Sequence, residues 1–212
     1  MTAALPLHER VTLPGSAGDI EARIETPQGV SLRDAFGVVC HPHPLFGGTL
    51  DNKVAQTLAK AFAELRYLTI RPNFRGIGGT EGAHDHGEGE TDDLVRVIEW
   101  AHARFGPLPV VLAGFSFGAY VQTRVAQRVK PERMALVGVP DGLVTGGRTY
   151  KTGLVPPDTI VIHGEQDETA PLANVLDWAR PQELPIVVVP GADHFFHRKL
   201  HLIKNIIKGA WN

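Results

Sequence analysis

The stretch Val110-Val111-Leu112-Ala113-Gly114-Phe115-Ser116-Phe117-Gly118 joins an apolar segment to an amphipathic one that continues to Val125. The apolar segment predicts a buried strand and the amphipathic segment predicts a helix, with the pattern Gly-x-Ser-x-Gly at the turn between them. Such a turn is tight, so small residues are needed on both sides of the serine, and Gly114 and Gly118 meet that need. This context predicts that Ser116 presents its hydroxyl above one end of a sheet.

Two later apolar segments end in loops that carry an acid and a base. The segment at 159–164 is followed by Asp167, and the segment at 185–190 is followed by His194. A serine hydroxyl needs an adjacent base to accept its proton, and an imidazole oriented by a carboxylate can do this near neutral pH. We therefore predict Ser116 as nucleophile, His194 as general base and Asp167 as the acid that orients it.

The rest of the chain alternates strand patterns with helix patterns. Two short alternating segments at 8–14 and 19–25 predict a β-hairpin. Further strands are predicted near 35–41, 67–73, 109–115, 134–140, 159–164 and 185–190, and helices near 52–66, 89–105, 117–129, 172–180 and 197–208. Uninterrupted apolar strands indicate burial on both faces. We therefore predict an α/β fold in which helices cover both faces of an eight-stranded, mostly parallel sheet, as a single domain over residues 1–212.

The composition excludes several classes of protein. A length of 212 residues is typical of one domain, and a formal net charge of −2 provides no basic face for nucleic acid. No apolar run is long enough to cross a bilayer, and the first ten residues do not resemble a signal peptide. The single cysteine, Cys40, excludes an intrachain disulfide. We therefore expect a cytoplasmic protein, a monomer or small homo-oligomer, that binds neither nucleic acid nor membranes.

Three further segments carry a resemblance to a known family: His41-Pro42-His43-Pro44-Leu45-Phe46-Gly47-Gly48 with its continuation to Val54, residues 73–82, and Gly191-Ala192-Asp193-His194-Phe195-Phe196. With these segments and the order Ser, Asp, His, the chain resembles an α/β-hydrolase over essentially its whole length. It is similar to small bacterial serine hydrolases that lack a lid domain. The resemblance implies hydrolysis of carboxylic esters through an acyl-enzyme intermediate, with a small-molecule ester as substrate and without cofactor. Only residues 141–158 separate the sixth and seventh strands, which is too short for a cap domain, so we expect an open site and a small or short-chain ester.

Acyl transfer generates a negatively charged oxygen that preorganised backbone N–H groups stabilise. One predicted donor is the N–H of Phe117, which follows the nucleophile at a helix N-terminus. The resemblance implies a second donor in the loop after the third strand, where Pro42 and Pro44 lack an N–H; His43 is our first choice and Leu45 the second. The predicted substrate-binding walls are Leu45, Phe46, Phe115 and Phe195, with Phe117 and Phe196 nearby, although Phe115 and Phe196 could equally be core residues.

Several alternatives remain open. Asp141, after the sixth strand, is in a position that some members of this fold use for the acid, and Asp167 could instead cap its own loop. We predict no metal site, although His-x-His pairs occur at His41, His43, His84 and His86. We expect His41 to pack beneath the oxyanion loop and the segment 84–86 to be a solvated loop. The same three residues would also serve a thioesterase or a peptidase, and a non-catalytic binding protein on this fold is a further alternative.

Overall fold

The computed structural model describes residues 8–211, and within this range it contains ten strands and five α-helices. The strands are β1 (His8–Pro14), β2 (Asp19–Glu25), β3 (Phe36–Cys40), β4 (Leu68–Pro72), β5 (Val110–Phe115), β6 (Arg133–Val137), β7 (Gly142–Leu143), β8 (Thr149–Tyr150), β9 (Ile160–Gly164) and β10 (Ile186–Val189). The helices are α1 (Lys53–Glu64), α2 (Glu88–Phe105), α3 (Phe117–Val125), α4 (Leu172–Ala179) and α5 (Leu200–Trp211). The prediction of a single domain also covers residues 1–7 and 212, which lie outside the described residues.

Eight strands form one sheet in the order β1-β2-β4-β3-β5-β6-β9-β10. The hairpin β1–β2 is antiparallel and β2 pairs antiparallel with β4, whereas all other neighbours pair in parallel. The predicted eight-stranded, mostly parallel sheet is therefore confirmed. Because β3, β5, β6, β9 and β10 run in the same direction, the loops after them lie at one edge of the sheet.

Helices cover both faces of the sheet, as predicted. Neighbouring strand residues point to opposite faces, so that Val111 packs in one apolar cluster and Leu112 in the other. The cluster that contains Val111 is covered by α1 and α5, and the cluster that contains Leu112 is covered by α2, α3 and α4. The site at the sheet edge therefore rests on a framework that is buried from both sides.

Two helices differ in length from the prediction. The α-helical part of α3 ends at Val125 rather than near residue 129, and turns follow it before Pro131, which disfavours helical geometry in the residue before it. Helix α5 begins at Leu200 rather than near residue 197. Phe196 and Arg198 have left-handed φ values of 53° and 62°, which cannot belong to a right-handed helix.

The segment between β6 and β9 contains no cap domain. It forms the small antiparallel hairpin β7–β8, in which Gly142 pairs with Tyr150 and Leu143 with Thr149. No helix in the described part of the chain is long and apolar enough to cross a membrane.

Candidate active site

Ser116 lies at the turn between β5 and α3, with a left-handed φ of 54°. This conformation is strained for a residue other than glycine, and its persistence at a turn is typical of functional sites. A Cβ atom on Gly114 would lie 2.4 Å from the carbonyl oxygen of Gly118, and one on Gly118 would lie 2.5 Å from that of His41. Both positions therefore exclude any side chain, because strand, helix and the loop after β3 meet there.

The structure brings Ser116, His194 and Asp167 together. The Oγ atom of Ser116 is 2.9 Å from Nε2 of His194, and Nδ1 of His194 is 2.7 Å from Oδ2 of Asp167. Ser116 is partly exposed, whereas the side chains of His194 and Asp167 are almost completely buried. The arrangement allows proton transfer from the hydroxyl to an imidazole that a carboxylate holds in one tautomer.

Both carboxylate oxygens of Asp167 accept hydrogen bonds. Oδ1 accepts hydrogen bonds from the N–H groups of Thr169 and Ala170, at 3.0 and 2.8 Å, while Oδ2 contacts His194. Asp167 therefore caps its own loop and also orients the histidine, two roles that the sequence presented as alternatives. The same bonds fix the position of the acid before any substrate binds.

A second histidine, His163 in β9, lies beside this acid. Its Nε2 atom is 2.8 Å from the carbonyl oxygen of Ala170 and 3.3 Å from Oδ2 of Asp167, so Nε2 carries the proton and donates it. Burial lowers the pKa of His163, which keeps the imidazole neutral. His163 was not predicted to lie at the site. Its position four residues before Asp167 is the one feature of the sequence that could have indicated a contact between the two.

Two other aspartates near strand ends, Asp141 and Asp193, make no hydrogen bond to the imidazole of His194. Oδ1 of Asp141 accepts a hydrogen bond from the N–H of Thr152 at 2.9 Å. The carboxylate of Asp193 bonds to His197, through the backbone N–H at 3.1 Å and through Nδ1 at 2.5 Å. Of these three aspartates, only Asp167 is within hydrogen-bond distance of the imidazole.

The imidazole of His194 rests on Phe115 and Gly138. Phe115, which we predicted to be a substrate-binding residue, is fully buried with its ring 4.9 Å from the imidazole, so it supports the histidine from within the core. Gly138 follows β6 with a φ of 58°, and a Cβ atom there would lie 3.2 Å from Cε1 of His194. The place of Gly138 beside the imidazole was not predictable from the sequence, because it depends on a neighbour that is distant along the chain.

The loop after β3 is held by His41, which is fully buried as expected. Its Nε2 accepts the N–H of Phe74 at 2.9 Å, so Nδ1 carries the proton and donates to the carbonyl oxygen of Pro42 at 2.7 Å. Burial lowers the pKa of His41 to about 4, so it is neutral at pH 7. In a trans peptide the C=O and N–H groups point in opposite directions, so this bond turns the N–H of His43 away from His41.

The two choices for the second oxyanion donor differ in geometry. The N–H of Leu45 is engaged with Nδ1 of His43 at 3.3 Å, whereas the N–H of His43 makes no hydrogen bond to another described residue. Phe117 is the first residue of α3, so its N–H has no acceptor inside the helix. The rings of His43 and Phe117 lie 4.9 Å apart, which brings the two segments that carry these N–H groups together.

The remaining predicted wall residues lie at the surface. Leu45 and Phe46 are 68% and 67% exposed, and Phe195 is 46% exposed with its ring 5.2 Å from the imidazole of His194. Phe196, in contrast, is fully buried. The rim of the site is therefore apolar and open.

The loop that carries His84 differs from the expectation. The side chain of His84 is only 7% exposed, its Nδ1 lies 2.8 Å from Oε1 of the buried Glu90, and its ring packs 5.2 Å from that of Phe117. His86 is exposed, as expected. Within residues 8–211, no group of three or more His, Cys, Asp or Glu side chains is arranged to hold a metal ion.

Comparison with known proteins identifies the family. Residues 42–139 match the family model for the alpha/beta hydrolase fold. The structure of XC6422 from Xanthomonas campestris, described as an α/β serine hydrolase without lid, superposes with a TM-score of 0.88 and 33% identity, over 98% of this chain and 94% of that chain. An α/β serine hydrolase homologue from Coxiella burnetii gives a TM-score of 0.87 and 36% identity, over 98% and 99% of the two chains.

A curated relative, the lysophosphatidylserine lipase ABHD12 of Danio rerio, is 26% identical over 168 residues, which are 78% of this chain and 36% of that protein. The chain thus spans about a third of the length of that relative. The two bacterial structures, in contrast, match over nearly their whole lengths, and the absence of a lid in the Xanthomonas protein agrees with the short hairpin between β6 and β9. The chain therefore belongs to the α/β-hydrolase family and to its lidless serine hydrolases.

Proposed function

We propose that the chain is a serine carboxylesterase that works through an acyl-enzyme intermediate. The observation that carries this proposal is the continuous line of hydrogen bonds from Oγ of Ser116 through His194 to Asp167. A serine hydroxyl at a strained turn, partly exposed and bonded to an oriented imidazole, is the arrangement that acyl transfer requires. A catalytically silent binding protein would have no need for it.

In the proposed reaction, Oγ of Ser116 attacks the ester carbonyl carbon while Nε2 of His194 takes the hydroxyl proton. The N–H groups of Phe117 and His43 stabilise the negative oxygen of the tetrahedral intermediate. As the intermediate collapses, His194 returns the proton to the leaving alcohol and the acyl group stays on Ser116. Water, deprotonated by His194, then attacks the acyl-enzyme and releases the carboxylic acid.

Two observations support a small or short-chain ester as the substrate. The hairpin β7–β8 takes the place where a cap would enclose a long acyl chain, and the apolar side chains of Leu45, Phe46 and Phe195 remain exposed. An open site of this kind buries little of a long chain. The name of the lipase relative supports ester rather than amide chemistry. The expected cytoplasmic location and the monomeric or small oligomeric state stay predictions.

A fluorophosphonate probe tests the nucleophile directly. We expect the wild type and the control Ser31→Ala, which alters an exposed serine, to be labelled, and Ser116→Ala to be unlabelled with a loss of at least about three orders of magnitude in kcat for p-nitrophenyl acetate. Labelling that persists in Ser116→Ala would refute the proposal. Matched ester, thioester and anilide substrates separate the alternative activities, and a strong preference for long acyl chains would contradict the short-chain assignment.

A further inference from the structure

A cavity of about 260 Å³ lies beside the oxyanion loop. Its wall includes His43 and Phe117, which carry the proposed oxyanion donors, together with His86, Arg148 and Tyr150. Arg148 and Tyr150 reach the cavity from the hairpin β7–β8 and its turn. The cavity thus lies beside the two residues whose N–H groups we propose hold the carbonyl oxygen of the substrate.

The guanidinium of Arg148 has hydrogen-bond donors to spare. It lies over the ring of Phe46, with Cζ 4.3 Å from the ring centre, and it donates to the carbonyl oxygen of Thr145 at 3.1 Å and to the hydroxyl of Tyr150 at 3.4 Å. Arginine has five N–H donors, so one N–H on each terminal nitrogen remains, and Nε is buried without a partner. Because the Tyr150 oxygen already accepts a bond from Arg148, its own O–H is left to donate as well.

The charges around this cavity favour an anion. Among the described residues, no carboxylate lines the cavity or forms an ion pair with Arg148. Glu90, behind His84, is fully buried and accepts hydrogen bonds from the N–H groups of Asp85 and Gly87 as well as the contact with His84. Its charge is thus compensated within its own loop. Glu88, which lies in α2 like Glu90, is paired with Arg124.

The pKa of His43, which also lines the cavity, depends on the same surroundings. Burial, and after it the electrostatic influence of His84, Arg148 and His86, lower the pKa of His43 to about 4. The positive charge of Arg148, which contributes to this lowering, also favours an anion in the cavity. The geometry of the donors and the local charge therefore agree.

We propose that this cavity binds an anionic oxygen group of the substrate, a carboxylate or a phosphate, so that the enzyme acts on esters that carry such a group a few bonds from the scissile carbonyl. The inference rests on the proposed function, because the cavity is defined by the groups that hold the oxyanion. Arg148 binds the anion through its terminal N–H groups and Tyr150 through its hydroxyl, and Phe46 keeps the guanidinium in place.

Two pairs of substrates test the inference. On the acyl side, the mono-p-nitrophenyl ester of adipic acid is compared with p-nitrophenyl hexanoate, in which a methyl group replaces the carboxylate. On the alcohol side, p-(carboxyethyl)phenyl acetate is compared with p-propylphenyl acetate. For the wild type we expect kcat/KM to favour the anionic member of at least one pair by about ten- to a hundredfold, the factor expected for a charge-assisted hydrogen bond.

Arg148→Gln should remove most of that preference, and Arg148→Lys should keep part of it, because a lysine supplies the charge without the planar donors. The matched control is Arg180→Gln, whose side chain is exposed and paired with Asp177 away from the cavity, and it should keep the full preference. Inhibition by adipate indicates a carboxylate, and stronger inhibition by inorganic phosphate indicates a phosphate; both effects should be lost in Arg148→Gln.

Fluorophosphonate labelling of each variant separates this inference from the proposed function. If the wild type is labelled but hydrolyses both members of each pair equally well, the anion site is wrong and the esterase proposal stands. The same holds if Arg148→Gln lowers kcat/KM for anionic and neutral members by the same factor. A wild type that is not labelled would instead refute the proposed function.

Discussion

Replacement of Gly138 by alanine tests whether the packing beneath His194 controls catalysis. A Cβ atom at this position would lie 3.1 Å from Cε2 of Phe115 and 3.2 and 3.3 Å from Cε1 and Nδ1 of His194. These contacts are shorter than the usual separation of about 3.5–4.0 Å between carbon atoms. Phe115 is fully buried and has little room to move, so the imidazole must give way by a few tenths of an ångström.

Two effects of this substitution can be estimated separately. Alanine at a φ of 58° costs about 1–2 kcal/mol of folding free energy, because its Cβ crowds the backbone in the left-handed conformation. A misplacement of about 1 Å at a catalytic group costs roughly a hundredfold in rate, so a shift of a few tenths should lower kcat about five- to tenfold. The rate effect should come without a comparable change in KM, since residue 138 is buried against Phe115 and the imidazole of His194.

Gly29→Ala is the matched control, because Gly29 has a φ of 69° and no atom within 4 Å of the added Cβ. Urea unfolding of both variants should show a similar loss of stability, whereas p-nitrophenyl acetate turnover should fall only in Gly138→Ala. If both variants lose the same stability and both retain the full kcat, then the close contact with His194 does not matter for catalysis, and our account of this position is wrong.

The remaining predictions concern the acid and the histidine under the oxyanion loop. Asp167→Asn should lower kcat/KM for p-nitrophenyl acetate by about two orders of magnitude or more, whereas Asp141→Asn should change it only a few-fold. If Asp141→Asn loses most of the activity instead, the acid is misassigned. Because burial lowers the pKa of His41 from 6.5 to about 4, the unfolded chain binds the extra proton first, so stability should fall as the pH drops from 6.5 towards 4. This contribution is at most about 3 kcal/mol. His41→Asn, which keeps a donor for Pro42 but cannot titrate, should flatten the dependence of unfolding free energy on pH in that range; an unchanged slope would contradict the assignment.

Most of the fold could be predicted because most of its parallel strands are nearly uninterrupted runs of apolar residues. Segments such as Val110–Phe115 contain no polar interruption, so burial on both faces follows from the sequence itself. The start of α5 could not be predicted, because Phe196 and Arg198 adopt left-handed conformations that neither residue type signals. Such conformations are imposed by the packing of the loop rather than by local preference.

The candidate site was likewise predictable where a local sequence pattern marks a residue, and not where the contact depends on residues distant along the chain. That Ser116, Asp167 and His194 come together could be predicted because each follows an apolar strand in a recognisable pattern. Gly138 and His163 could not, because their roles depend on which strands are neighbours in the sheet. His84 was expected in solvent because its sequence context is polar, and it is buried because Glu90 turns inward to bond the loop.

The strand order explains why a residue without a side chain is needed after β6. Ser116 follows β5 and His194 follows β10, and β6 and β9 lie between these two strands. Three strand spacings amount to about 14 Å, so the loop that carries His194 must reach back across the ends of β9 and β6 to contact the serine. Asp167 meets the imidazole on the way, at the end of β9, and Gly138 leaves space for it at the end of β6. The hairpin β7–β8, which also leaves the sheet after β6, brings Arg148 to the cavity that Phe117 lines. The loops at this edge of the sheet thus position both the imidazole that we propose as the base and the guanidinium that we propose selects the substrate.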